Sequence, residues 1–414
     1  MIFIKTLFNY LGNKKIHKAF FYGLGALCVV FAIYTAWSFA WIYTNSDFTS
    51  YSLRAREMHR VNSLFPSTWN YGTDTTIWGL PFILFSLFPL IKNQVILLSI
   101  STTIIIFLTI FTLWLLDKYC FKNKSLILMI CLIFLGGMNN DFWALFIQES
   151  LFQTRFHTFI AVIALFCWCT KDNALEFQKG KKKYIFLSLL ILLTFQSLSF
   201  LQIYILPLFF SVFVIFLMAN QKEMQLQKYT KTYFAVFLML IATGIAVCIN
   251  KLFVPAVTVM PMYVSNGTTN TLYSNVKDLL KSATQGLFCL EPNFRFELLS
   301  LTGIFAVLKI IFILTFSFIL PILLLKKFKQ LSAKVQFFTL SAVCYIILNL
   351  ISTLFFLWWS AENIEPYNIL WSVAHYFIIS QLLLYILSTY YLQEFVLKNT
   401  VNKYIIFPLI FLFT

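Results

Sequence analysis

Long apolar runs alternate with short polar connections that carry lysine, and the lengths of the runs set the architecture. The first run, Ala19 to Tyr43, is about 25 residues long, enough for one helix to cross a hydrocarbon core. It is too long for a signal-peptide core and lacks a small-residue cleavage pattern, so it is read as a retained span. Lys5, Lys14, Lys15 and Lys18 precede it, which predicts a cytoplasmic N-terminus. Lysine clusters at 171–183, 222–231, 326–334 and 398–403 are placed on the same side. Between the first two, the apolar stretch Tyr184 to Met218 is about 52 Å long as a helix, too long for one crossing and enough for two short ones. A hairpin of spans is therefore expected over 184–200 and 203–219, turning near Gln196 and Gln202. The remaining spans fall at about 232–254, 299–325, 335–358 and 368–391, with outer loops at 255–298 and 359–367. The expected fold is all-α, a polytopic transmembrane helical bundle of about 11–12 spans with external loop helices lying along the membrane.

Two places resist this pattern. Apolar stretches at 75–91 and 95–116 separate an outer loop at 44–74 from Lys118, Lys122 and Lys124, and two full crossings would put those lysines outside. The first is short and holds Pro81 and Pro89, so a partial or interfacial segment is expected, with a local exception to the charge rule as the alternative. The last segment, Ile405 to Thr414, is too short to span, which leaves open a truncation within a further helix.

Composition narrows the class. Of 414 residues, 60% are apolar, 19% aromatic and 11% charged, against about 25% charged in soluble domains. That excludes a soluble globular enzyme, a disordered chain and a nucleic-acid partner. The net charge of +16 is accordingly a topology signal. The eight cysteines sit mostly within apolar segments without metal spacing; only Cys289 is placed outside, so no structural disulfide is expected.

The arginines change the picture. All five (Arg54, Arg56, Arg60, Arg155 and Arg295) fall in expected outer loops, against the usual charge bias. A guanidinium grips phosphate oxygens with two parallel hydrogen bonds, so an arginine-bearing outer face suits a phosphate or pyrophosphate head group. Ten of the fifteen acidic residues lie outside too, among them Asp47, Glu57, Asp74, Asp141, Glu149, Glu291, Glu297, Glu362 and Glu365. Asp47 follows the first span closely, where a carboxylate can act as general base on an acceptor hydroxyl or as the cap of the next helix. From Phe48 to Leu64 an imperfect apolar stripe (Tyr51, Leu53, Ala55, Met58, Val61, Leu64) alternates with Arg54, Arg56, Glu57, His59 and Arg60, which predicts a helix in the interface plane ending at Phe65-Pro66.

The run from Ser46 to Met58, with Asp47, Tyr51 and Arg54-Ala55-Arg56-Glu57-Met58, resembles the first external loop of GT-C membrane glycosyltransferases, the group that includes protein O-mannosyltransferases and bacterial aminoarabinose transferases. Weaker likeness continues through Asp117 to Ser125, Glu149 to Cys169 and Tyr184 to Met218, covering about the first 220 residues. The resemblance implies a GT-C-like catalytic module over 1–220, with further spans over 221–414. It also implies an inverting transfer of a sugar from a polyprenyl-phosphate donor to a glycan, lipid or protein acceptor outside the plasma membrane, with Asp47 as base. Phe48 replaces the family's second acidic residue, Tyr71-Gly72-Thr73-Asp74 its Lys-Pro-Pro, and His157 a later acid. A divalent metal then lacks its obvious oxygen pair, and no cofactor is assigned. Arg155 and His157, with Arg54, Arg56 or Arg60, would hold the donor phosphate and stabilise its departure.

Tyr51, Asp74, Glu149, Arg295, Trp359, Glu362 and His375 are the candidates for acceptor or sugar contacts. Trp358 and Trp359 also fit an interfacial aromatic belt, and His375 and Lys309 are ionisable residues inside expected spans. The competing classes are a transporter or flippase for lipid-linked saccharides, which should show paired broken spans and internal repeats, and a structural envelope subunit. No repeat is found in the sequence.

Overall fold

The computed structural model describes residues 14–42, 46–66, 80–122, 125–135, 151–171, 175, 177–178, 180–194, 205–219, 226–253, 300–359 and 377–396. These are almost wholly helical, and among them the only β pairing is an isolated bridge between Thr170 and Phe177. In chain order the first helices are α1 (Lys14–Ile42), α2 (Ser46–Arg60), α3 (Leu80–Leu87), α4 (Gln94–Leu116), α5 (Leu126–Leu135) and α6 (Leu151–Cys169). They are followed by α7 (Lys182–Thr194), α8 (Leu206–Ala219), α9 (Leu226–Phe253), α10 (Leu301–Leu314), α11 (Leu320–Lys326), α12 (Ala333–Trp359) and α13 (Ile378–Tyr391). A π-helical turn extends α4 over Asp117–Phe121, and another joins α10 to α11 over Thr315–Ile319.

Three stretches are long and apolar enough to cross a membrane: Gln94–Phe121, Val307–Lys326 and Ala333–Thr353. Shorter apolar helical stretches lie at Tyr22–Ser38, Gln153–Cys169, Leu206–Ile215 and Phe237–Leu252. Several of their hydroxyls follow the rule for apolar surroundings. Ser101, Thr109, Thr158, Thr194 and Ser341 each donate to the carbonyl four residues back, at 2.7 to 2.9 Å, so these five are satisfied within their own helices.

Within the segment at 75–91 the described residues begin at 80, where helix α3 runs for eight residues, about 12 Å. It packs against α2 and the first turns of α4, where Ala55, Leu80, Leu84, Leu97 and Leu98 form a small core of their own. Asn93 then starts α4 by accepting hydrogen bonds from the Val95 and Ile96 amides at 3.0 and 3.2 Å. Only α4 therefore runs from α2 and α3 to Lys118 and Lys122.

Those lysines join the others. The Cys120 thiol meets the Lys334 carbonyl at 3.4 Å, the Cys169 thiol meets the Lys182 carbonyl at 3.3 Å, and the Tyr119 and Trp168 rings lie 6.4 Å apart. One end of the bundle thus gathers the C-termini of α4 and α6 with the N-termini of α7 and α12. Asp117 is buried there and accepts the Ser125 amide at 2.8 Å, so the carboxylate that opens the π turn caps α5. Helix α1 runs away from this end, with Gly25 against Ile127 of α5 and the Trp37 indole donating to Thr103 at 3.1 Å.

Candidate functional site

At the opposite end, α2 covers the start of α4. Part of its expected apolar stripe is buried, since Tyr51 and Ala55 pack on the small core and Met58 is fully buried, whereas Leu53 and Leu64 are exposed and Ser52 and Arg54 take the buried face instead. The Gln94 amide donates to the Ser52 hydroxyl at 2.6 Å, and His59 is bonded through Nε2 to the Phe85 carbonyl at 2.6 Å while its ring stacks on Phe85 and Phe88. The helix stops earlier than the pattern, at Arg60. Asn62 adopts φ +50°, the Ser63 amide reaches back to the Met58 carbonyl at 3.0 Å and the Asn62 amide to His59 at 3.3 Å, the paired bonds of a left-handed helix terminus.

The three arginines of α2 have different surroundings. Arg54 is 4% exposed, Arg56 is exposed, and Arg60 is exposed and forms a two-pronged pair with Glu57 at 2.7 Å. That carboxylate holds the Arg60 guanidinium above its ordinary pKa. Burying a guanidinium is costly unless it is partnered, so Arg54 is the one whose position the fold has fixed. Asp47 is the second residue of α2; its side chain lies outside the described atoms, as does that of Trp359, the last residue of α12. Asp74, Glu149, Arg295, Glu362 and His375 lie outside the described residues.

A second polar group sits on α6. This helix packs along α4, and the Tyr119–Trp168 contact shows the two run parallel, so counting back puts Gln153 about level with Ile104 and about 15 Å below the Ser52–Gln94 bond. Arg155 and His157 are half-buried in the first two turns, and the Arg155 charge bears on the buried phenol of Tyr345 from α12. Gln153 is 0% and Thr154 3% exposed, yet neither carboxamide atom of Gln153 nor the Thr154 hydroxyl has a hydrogen-bond partner. The Nδ1 of His157 is likewise unsatisfied, the Gln153 carbonyl a turn back being its backbone neighbour. On α4, Ser99 and Thr102 repeat the pattern although their neighbours Ser101 and Thr103 bond back to the helix. Each unmet buried group costs about 1–3 kcal/mol, so such a cluster is costly unless something else fills it.

The structure thus brings Arg54, Tyr51 and Ser52 together over α4 and sets Arg155 and His157 one level deeper. His157 lies inside α6 rather than capping its end. Gln153, Thr154, Ser99, Thr102 and Tyr345 are absent from the sequence candidates. The signal for two of them is the run Gln153-Thr154-Arg155-Phe156-His157 opening an apolar helix, in which the uncharged members matter as much as the charged ones. Among the described residues no group of three His, Cys, Asp or Glu side chains could hold a metal ion. In comparisons with known proteins, no family model matches the chain, and neither a curated protein nor a solved structure matches it.

Proposed function

We propose that the chain is an integral membrane glycosyltransferase of GT-C type, transferring one sugar from a polyprenyl-phosphate donor to a lipid-linked, glycan or protein acceptor outside the membrane. The observation that carries this reading is Arg54, buried on a helix that lies over the start of α4, at the end of that helix away from Lys118 and Lys122. A guanidinium kept at low exposure there fits a function that needs positive charge, and a lipid phosphate at the membrane boundary provides one.

In the proposed reaction an acceptor hydroxyl attacks the anomeric carbon. Asp47 takes its proton, the new glycosidic bond forms as the bond from that carbon to the phosphate oxygen breaks, and the polyprenyl phosphate leaves with the electron pair. One displacement inverts the anomeric configuration. Arg155, with His157, would stabilise the charge growing on the leaving phosphate, and the arginines of α2, one level nearer the outer end, would draw the anionic lipid towards the site.

The test is genetic and chemical together. The gene is deleted in its host, surface glycans and glycolipids are profiled by mass, and rescue is attempted at matched expression with wild type, Asp47→Asn and Arg54→Gln. Loss of one sugar unit, restored by wild type and by neither variant, is the expected outcome. Full restoration by Asp47→Asn would leave Asp47 as a helix cap, and accumulation of an intact lipid-linked saccharide on the inner leaflet would move the reading to a flippase.

A further inference from the structure

The unsatisfied polar atoms on α6 have a chemistry of their own. The Gln153 carboxamide presents two donors and an acceptor, all unused, and Thr154 adds a hydroxyl beside it. A phosphate supplies acceptors only and would leave the Gln153 Oε1 unmet, whereas a sugar hydroxyl both gives and accepts a hydrogen bond and can satisfy either end. Arg155 follows these two in the chain but leaves α6 about 200° around the helix from Gln153, so the carboxamide and the guanidinium face different neighbours. The depth agrees. Counting about 30 Å of hydrocarbon up from Phe121 reaches about residue 101 of α4, and Gln153, level with Ile104, sits within about one turn of that boundary.

We infer that Gln153 and Thr154 form the subsite for the hydroxyls of the donor sugar, held by groups that carry no charge. This rests on the transferase reading and names the part of the substrate that the buried uncharged groups recognise. The polar atoms left open in the ligand-free fold are then those the sugar closes, so a donor lacking the sugar leaves them unmet and binds less well.

The full-length protein in lipid nanodiscs is titrated with undecaprenyl phosphate, with undecaprenyl-phosphate-linked mannose, glucose and galactose, and with a lipid-free mannose trisaccharide. Wild type, Gln153→Leu and Thr154→Val are compared. Wild type is expected to bind at least one sugar-loaded lipid more tightly than the unloaded one. Gln153→Leu should lose that preference, by about tenfold or more, with affinity for undecaprenyl phosphate unchanged, and Thr154→Val should lose part of it. If Gln153→Leu keeps the preference, the subsite is overturned while the transferase reading stands. If Gln153→Leu weakens the unloaded lipid equally, Gln153 serves the fold and the subsite is again overturned. If it weakens only the trisaccharide, the hydroxyls belong to the acceptor and the donor assignment fails. Absence of any preference in wild type would overturn the donor reading and the subsite with it.

Discussion

At the scale of single residues, the side chains that matter most are those with an unusual ratio of burial to satisfaction. His59 is well satisfied: one ring nitrogen is bonded to the Phe85 carbonyl at 2.6 Å, and the ring is stacked on Phe85 and Phe88 at centroid distances of 4.3 and 5.4 Å. It is the polar pin between α2 and α3. His59→Phe keeps the stack and loses the hydrogen bond, and should destabilise the α2–α3 pair by about 1 kcal/mol; His59→Ala loses both, about 2–3 kcal/mol. Hydrogen exchange of the α2 amides measures the difference, and equal protection in both variants would show that the pin is idle. Asp47, Arg54 and Arg155 could be singled out from the sequence because charge opposed position. Gln153 and Thr154 could not, because an uncharged polar residue at the start of an apolar helix usually bonds back to its own backbone, and only coordinates show that these do not.

At the scale of helices, periodicity and length were readable and closure was not. A helix is expected over Phe48 to Leu64 and is found as α2, Ser46–Arg60; α7 and α8 cover parts of 184–200 and 203–219, and each packs on α9. The early stop of α2 depends on Asn62 entering the left-handed region, which a hydrophobic pattern does not encode. Helix pairing was equally illegible, since apolar faces in a bundle are nearly interchangeable by composition. Gly25 shows what decides it for α1 and α5: a Cβ there would meet the Ile127 Cγ2 at 3.2 Å, whereas one at Gly23 meets nothing within 4 Å. Gly25→Leu should therefore force α1 from α5 and cost about 1–3 kcal/mol, while Gly23→Ala should be neutral or stabilising by up to about 1 kcal/mol through helix propensity. Thermal unfolding of the two variants in the same detergent separates them, and equal midpoints would place the contact elsewhere.

At the scale of the whole molecule, a group of lysines gathers at one end of the bundle, with Lys92 beside α2 as an exception, and orientation follows from that group. The lysines of α7, α11 and α12, and those closing α4, meet at one end through the Cys120–Lys334 and Cys169–Lys182 contacts, while Arg54, Arg56 and Arg60 ride on α2 at the other. Lysine-rich connections are retained on the cytoplasmic side during insertion, so the lysine end is expected inside and α2 outside. Labelling with a membrane-impermeant maleimide tests this with two single replacements, Arg56→Cys and Lys183→Cys. The native thiols at 28, 120, 131, 167 and 169 are buried and should stay silent, but Cys248 is exposed and Cys344 half-buried, so these two and Cys289, which lies outside the described residues, are changed to alanine first. Arg56→Cys should label in intact cells and Lys183→Cys only after permeabilisation. The reverse pattern would turn the bundle over and place α2 where an external acceptor cannot reach it. Labelling of both positions in intact cells would mean that the two ends are not separated by a bilayer, and every argument from the depth of Gln153 would fall with that separation.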